Sequence, residues 1–349
     1  MSTPQRILIV RLSAIGDVVM ASGLIPALRA RHPDAHLAWL IEPAAAPLLA
    51  ANPRLDEVIV WPRGEWQRLR TERRWRELAG AVRRFVGALR ARRFDLVLDT
   101  QGLLKSGLLA RASGAATRIG LGSKEGSRYL MTRVVARDPG GPRLIGREYR
   151  ALAAALGCPP EAFRMDLATR PEDAVAARER LAEAGVDGPY AVLAPFTTRP
   201  QKHWFEERWA ALAPRLAARL GLPVVLLGGP GDREAAARIA TAAPGLRDLA
   251  GRTSLAQTVA AIRDARLLIG VDTGLTHMGI ACEVPTLALF GSTRPYLDPG
   301  TPRARVLYHA LPCSPCRRRP TCGGRFDCMR AHEVDGVLAA AVTLPGVLA

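Results

Sequence analysis

The feature that most constrains this chain is an alternation. Short apolar runs of strand length occur at 6–11, 36–41, 57–61, 95–99, 190–194, 223–227, 267–271 and 286–290. Amphipathic segments of helical spacing lie between them; the clearest, 74–91, sets Trp75, Leu78, Val82, Phe85, Val86 and Leu89 on one face. Strand, helix, strand, helix implies parallel sheets with helices on both faces. The runs fall in two sets, parted by a helical, loop-rich stretch at roughly 120–188 that contains RDPGGPR (137–143) and GCPPEA (157–162). A chain of 349 residues exceeds one ordinary core. The expected class is therefore α/β, with two doubly wound, Rossmann-like parallel-sheet domains facing a cleft. The boundary falls near 165–172, in DLATRPED, giving domains 1–168 and 169–349, with the last helix free to pack back on the first. Pro26 interrupts the first helix candidate and predicts a kink or a late start there.

Charge narrows the partners. The chain carries 49 Lys plus Arg against 32 Asp plus Glu, a net +17, which favours a polyanion: nucleic acid, anionic lipid or a phosphorylated glycan. Residues 63–93 alone hold eleven Arg and three acidic residues. Aromatics make up only 5% and no nucleic-acid motif is visible, so no nucleic-acid partner is expected. No apolar stretch has the length of a membrane span, and the N-terminus lacks the layout of a signal peptide, so the expected location is the cytoplasm.

Three strand-end loops in the second half suit a nucleotide. In LLIGVDTGLTHMGIACEVP (267–285) the strand ends before Asp272, Thr273 and Gly274, and a helix begins with Thr276 and His277 in its first turn. Free N–H groups at such a place suit a phosphate, although a simple helix cap with a surface His277 accounts for the spacing equally well. APFTTRPQKHWFEERW (194–209) offers Thr197, Thr198, Arg199 and Lys202, either as a diphosphate clamp or as a solvated loop. In LLGGPGDREAAARIA (226–240), Gly228, Gly229 and Gly231 let the backbone approach a ligand. Asp232 and Glu234 follow, placed to bind ribose hydroxyls or to favour the helix dipole. The first half differs. In RLSAIGDVVMAS (11–22) a single glycine, Gly16, is followed by Asp17, so the loop lacks the G-x-G-x-x-G that a dinucleotide site requires. The same lack, with no Tyr-x-x-x-Lys pair, argues against an epimerase or dehydrogenase.

Taken in order, LIVRLSAIGDVVMASGLIPALRARHP, DLVLDTQGLLKSGLLAR, TTRPQKHW with GGPGD, and GVDTGLTHMGIA with ALFGST resemble glycosyltransferase family 9, the lipopolysaccharide heptosyltransferases, over nearly the whole chain. The Thr-Thr pair before Lys-His-Trp leans toward the heptosyltransferase I type. The resemblance implies a GT-B fold and inverting transfer of heptose from ADP-heptose to Kdo-lipid A, with no metal required for the chemistry. It implies donor-binding roles for Thr197, Thr198, Lys202, Asp272, Thr273, Gly274 and His277, and a ribose role for Asp232 with Glu234 as the alternative. It makes Asp17 the general base, where the bland reading is a helix cap. On the acceptor side it points to Ser13, Gly16, Arg63, Gln101, Lys105 and Arg128, with Lys105 placed to keep Asp17 ionised. The Arg-rich stretch gains a partner in Kdo carboxylates, lipid A phosphates or an anionic inner-leaflet surface, and the expected location becomes peripheral on the cytoplasmic face. Two alternatives stand: a type II enzyme adding heptose to the first heptose, and a basic nucleic-acid- or phosphate-binding module without catalysis.

Cys313, Cys316, Cys322 and Cys328 cluster in a Pro/Gly/Arg-rich loop outside the donor motifs. Two readings remain level, a structural zinc site and reduced thiols or a redox pair. Cys158 and Cys282 read as core residues.

Overall fold

The computed structural model describes residues 4–138, 140–141, 143–316 and 319–348; Met1–Thr3, Pro139, Pro142, Arg317, Arg318 and Ala349 lie outside the described residues. Each strand run read from the sequence forms a strand, and the chain divides into two compact units. The first holds the chain up to Gly141 together with Gly146–Ala168; the second holds Thr169 onward and takes back the short stretch ending at Ile145.

The first unit contains β1 (Arg6–Val10), β2 (His36–Ile41), β3 (Glu57–Val60), β4 (Leu96–Asp99), β5 (Thr117–Leu121) and β6 (Arg133–Val135). All pair in parallel, in the order β3-β2-β1-β4-β5-β6. The second unit contains β7 (Ala191–Ala194), β8 (Val224–Leu226), β9 (Arg247–Asp248), β10 (Leu267–Val271), β11 (Thr286–Phe290) and β12 (Ala304–Tyr308), again all parallel, in the order β12-β11-β10-β7-β8-β9. Both sheets thus have the Rossmann wiring, in which the chain leaves the first strand to one side and returns to continue on the other. The central strands are uninterrupted apolar runs because helices cover both of their faces; Ile7, Leu8, Ile9, Val10, Leu268 and Ile269 are fully buried.

Four strands escape a reading based on apolar runs: β5, β6, β9 and β12. They carry Arg118, Arg133, Arg247 and Arg305, and three of them (β6, β9 and β12) are sheet edges, where one side meets water. The helix expected at 74–91 spans Trp75–Ala91, but its apolar face is less buried than the pattern suggests. Ala81 and Leu89 are buried, whereas Trp75 is 58% exposed. Pro26 does not kink a helix. The chain instead breaks at Ser22-Gly23 between the helices Ile15–Ala21 and Leu24–Arg31, and Pro26 falls in the first turn of the second, where its missing N–H is harmless. Gly23 is required at that break: a Cβ there would lie 2.5 Å from the buried Phe163 ring.

The final helix, Val334–Val342, belongs to the second unit, and Val337, Ala341, Leu344 and Val347 join its core. His332, just before it, is 1% exposed, with Nε2 2.9 Å from the Phe290 carbonyl oxygen. Burial pushes its imidazole down; the Phe290 carbonyl opposes this, His309 and Arg208 add to it, and the value settles at about 4. The unfolded chain therefore takes up this proton first as pH falls. Stability carried by the neutral ring is whole above about 6.5 and declines toward about 4, by about 3 kcal/mol. Thermal melting across that range is expected to show the decline, and His332→Gln, which keeps a donor but cannot charge, is expected to flatten it.

Candidate active site

In a Rossmann sheet the loops diverge where the strand order reverses, leaving a crevice at the carboxyl ends of those two strands. In the second unit these are β7 and β10. Asp272 follows β10 directly, with its side chain 13% exposed. Lys202, brought by the loop after β7, places Nζ 2.6 Å from the Asp272 carboxylate and donates to the Asp272 carbonyl oxygen at 3.2 Å. Thr197 Oγ1 lies 3.5 Å from the same carbonyl oxygen. Thr293, from the loop after β11, donates its hydroxyl to Asp272 Oδ2 at 2.6 Å. His277 Nε2 stands 3.4 Å from Asp272 Oδ1, and its Nδ1 is 3.0 Å from the Tyr296 hydroxyl.

Burial alone would raise the Asp272 carboxyl, but the hydrogen bond from His277 and the charge of Lys202 outweigh it and hold the group well below the usual carboxylate range. Burial pushes the Tyr296 phenol far up, so Tyr296 stays a neutral hydroxyl. Asp272 is therefore a permanent anion that organises four side chains, and it does not cap the helix Gly274–Ala281. Thr273 occupies the cap position with no side-chain cap bond, and Gly274 opens the helix. Lys202 makes two contacts on Asp272, one to the carboxylate and one to the carbonyl oxygen.

The loop after β8 is more self-contained. Asp232 accepts from the Gly229 N–H at 2.7 Å. Glu234 is 93% exposed and pairs with Arg238 at 3.1 Å, on the solvent side of its helix. At Gly228 a Cβ would lie 2.6 Å from the Phe196 ring, so its smallness lets the loops after β7 and β8 pack. Thr198 lies beside Thr197 with no side-chain bond of its own described.

In the first unit the reversal lies between β1 and β4. Arg11 follows β1; it is 5% exposed and forms an ion pair with Asp17 through Asp17 Oδ2. Its Nη1 donates to the Thr100 carbonyl oxygen at 2.9 Å, which ties Asp17 to the end of β4. Gln101, after β4, accepts from Leu12 N at 2.8 Å and Ser13 N at 3.3 Å through Oε1 and so fixes the loop that leads to Gly16. Asp17 is the third residue of the helix Ile15–Ala21, and Oδ2 also accepts from Ala14 N at 3.4 Å. Among the described residues no hydrogen bond engages Oδ1. The cation on Asp17 is Arg11, not Lys105. Lys105 Nζ lies 3.1 Å from Glu42, which also binds Arg63 at 3.0 Å, and both cations stand about 6 Å from the Trp61 ring centroid. Glu42 itself is anchored beside the β1 loop, its N–H donating to the Leu12 carbonyl oxygen at 3.1 Å. Arg128 is elsewhere, on the turn Ser127–Leu130, stacked on Tyr129 at 5.2 Å.

The description "Glycosyltransferase family 9 (heptosyltransferase)" matches residues 82–325. Lipopolysaccharide heptosyltransferase 1 of Pseudomonas aeruginosa is 34% identical, covering 97% of this chain and all of that one. The chain belongs to glycosyltransferase family 9. The GT-B architecture is shared with solved members. Escherichia coli ADP-heptose heptosyltransferase II superposes with a TM-score of 0.77 at 26% identity, covering 96% of each chain. E. coli heptosyltransferase WaaC, solved with ADP-2-deoxy-2-fluoro heptose, gives 0.71 at 25% identity, covering 96% of this chain and 98% of that one. This family 9 chain is thus a glycosyltransferase, and the two polar centres at its strand ends are its candidate active-site elements.

The cysteine segment of this family 9 protein adjoins the loop after β11. Cys316 Sγ lies 4.0 Å from the Ser292 carbonyl oxygen, and a Cβ on Gly291 would lie 2.8 Å from Cys328 Sγ. The segment therefore supports the loop that delivers Thr293 to Asp272. Cys313, Cys316, Cys322 and Cys328 are free thiols, and among the described residues no group of three or more Cys, His, Asp or Glu side chains is arranged to hold a metal. Cys328 is turned into the core, and burial pushes its thiol up to about 11.

Proposed function

We propose that this enzyme transfers heptose from ADP-heptose to the Kdo-lipid A inner core of lipopolysaccharide, with inversion and with Asp17 as general base. The observation that carries the reading is the Arg11-anchored carboxylate at the end of β1, with Oδ1 unengaged. An acceptor hydroxyl attacks the anomeric carbon of the heptose; the new C–O bond forms as the bond to the ADP oxygen breaks, and ADP leaves with that electron pair. Asp17 takes the hydroxyl proton as its oxygen becomes acidic in the transition state. The second unit holds the donor: Lys202, Thr197 and Thr198 meet the diphosphate and stabilise the departing charge. Asp272, Thr273, Gly274 and His277 shape the pocket for diphosphate and sugar, and Asp232 serves the ribose in preference to Glu234.

The first unit holds the acceptor. Arg63 and Lys105, aligned by Glu42 and Trp61, present two cations to Kdo carboxylates, while Ser13, Gly16 and Gln101 shape the loop beneath the hydroxyl and Arg128 extends the basic surface. The cysteine segment acts through packing, as reduced thiols. An anionic membrane at the cytoplasmic face is where such an acceptor is met. Among the described residues no helix is long and apolar enough to cross a membrane, and the surface reading rests on the net charge of +17.

Identity to a heptosyltransferase 1 favours the first heptose. The higher TM-score to heptosyltransferase II favours the second reading, addition to an existing heptose. Incubation with ADP-heptose and Kdo-lipid A, followed by mass measurement of the product, is expected to show a gain of one heptose. No gain, with activity on an already heptosylated acceptor, selects the second reading. Ligand binding with no turnover on either acceptor leaves only a binding module.

A further inference from the structure

We propose that the face formed by the helix Leu104–Ala112 and the turn Ser127–Leu130 docks on an anionic lipid bilayer through Leu104, Leu108 and Tyr129. The inference rests on the membrane partner proposed above and names the surface that meets it. Leu104 is 43% exposed and Leu108 53%; they lie one turn apart on the helix, and Arg111 continues the row. Tyr129 is 81% exposed. The two elements are packed closely: a Cβ on Gly107 would lie 2.9 Å from Ser127 Cβ and 3.3 Å from Leu130 Cδ1. Single exposed apolar residues are ordinary, but two leucines one turn apart on a helix packed against the turn that carries an exposed tyrosine put three exposed apolar side chains on adjoining elements. A tyrosine ring with its hydroxyl outward suits the boundary between headgroup and acyl chain.

The charge around this face complements an anionic surface. Arg111, Lys124 and Arg128 border it, and among the described residues no carboxylate lies within ion-pairing distance of any of them. The nearby Glu125 turns its carboxylate to the Leu104 N–H at 3.3 Å, at the start of the helix. In the more conspicuous Arg-rich stretch Arg63 pairs with Glu42, Arg68 and Arg74 with Glu72, Arg74 also with Glu77, and Arg92 with Glu57, while Arg70, Arg73, Arg76, Arg83 and Arg84 have no carboxylate partner among the described residues. What that stretch lacks is an apolar row: among its described large apolar side chains only Trp75 is exposed. Docking here also sets the end of β4, with Lys105 next to Leu104, at the surface from which a lipid-borne acceptor is taken.

The test is flotation of the full chain with vesicles of phosphatidylcholine alone or mixed with phosphatidylglycerol, at low and high salt. Wild type is expected to partition at least about tenfold better onto the anionic vesicles at low salt, since each cation near the surface contributes about fivefold. Leu108→Asp combined with Tyr129→Ser is expected to lose about tenfold of that partition, with ADP binding and melting temperature unchanged. Equal flotation of the double variant overturns this face while leaving the membrane partner standing. No preference of wild type for anionic vesicles overturns both. A wild-type dimer that the double variant dissociates, with flotation unaltered, makes the face an interface between copies and overturns the proposal.

Discussion

Asp17→Asn is expected to reduce heptose transfer by about 10²–10⁴-fold while leaving ADP affinity and melting temperature near wild type. The substitution keeps the shape of the side chain and a carbonyl oxygen for Arg11, so the β1 loop should hold. What it removes is the capacity to accept a proton. Because the proposed donor residues belong to the second unit, ADP titration reports on a surface that the substitution leaves alone. Turnover within a fewfold of wild type would exclude Asp17 as the base. A large loss of ADP affinity would show that the carboxylate supports the donor side instead. Arg11→Met is the companion measurement: it leaves Asp17 present but unanchored.

Lys202→Ala should have the second large effect, and it separates two roles. Removing the ammonium takes away a cation from the proposed diphosphate site, with an expected loss in kcat/KM of about 10²–10³-fold. It also leaves Asp272, nearly buried, as a charge without its cation, at an expected stability cost of about 3–5 kcal/mol. Asp272 is held below the usual carboxylate range, so the stability it carries is present above about pH 4 and lost below it. In Lys202→Ala the folded-state carboxyl rises toward its unfolded value, so that acid-dependent loss is expected to shrink. The double variant Lys202→Ala/Asp272→Asn should recover much of the stability and none of the transfer. Recovery of both would mean that Lys202 serves only the fold. Recovery of neither would mean that the network around Thr293 and His277 depends on the Asp272 charge itself.

Strands were legible where the run is apolar, including the edge strand β3, and illegible where an arginine interrupts a short run, as in the inner strand β5 and the edges β6, β9 and β12. That is why β1, β4, β7 and β10, the strands that position the chemistry, could be read, while the arginine-bearing β6, β9 and β12 could not. On the donor side, Asp272, Lys202, Thr197 and His277 stand out as polar residues at strand ends, and the structure gathers them. Thr293, the last residue of ALFGST, and Tyr296, three residues on, carried only the weaker signal of following an apolar run. Arg11 was hidden because it reads as the last residue of the first strand, and an arginine there suggests solvent. Glu42 was hidden as a lone carboxylate after β2, and its role emerges only when Arg63, Lys105 and Trp61 converge on it. The four cysteines keep both of their readings: their spacing suits a ligand set or reduced thiols, and the structure shows free thiols beside the loop after β11.

The anchoring of Asp17 has a stereochemical consequence. Arg11 and the Ala14 N–H both take Oδ2, which leaves the carboxylate single-handed: Oδ1 alone is available to receive a proton. With Asp17 as the proposed base, an acceptor sugar would present its reacting hydroxyl along the lone-pair directions of that one oxygen. Regiochemistry among several similar hydroxyls of a polyol would follow from this direction of approach as much as from contacts to the rest of the glycan. A base free to rotate would tolerate more than one hydroxyl; a tethered one selects.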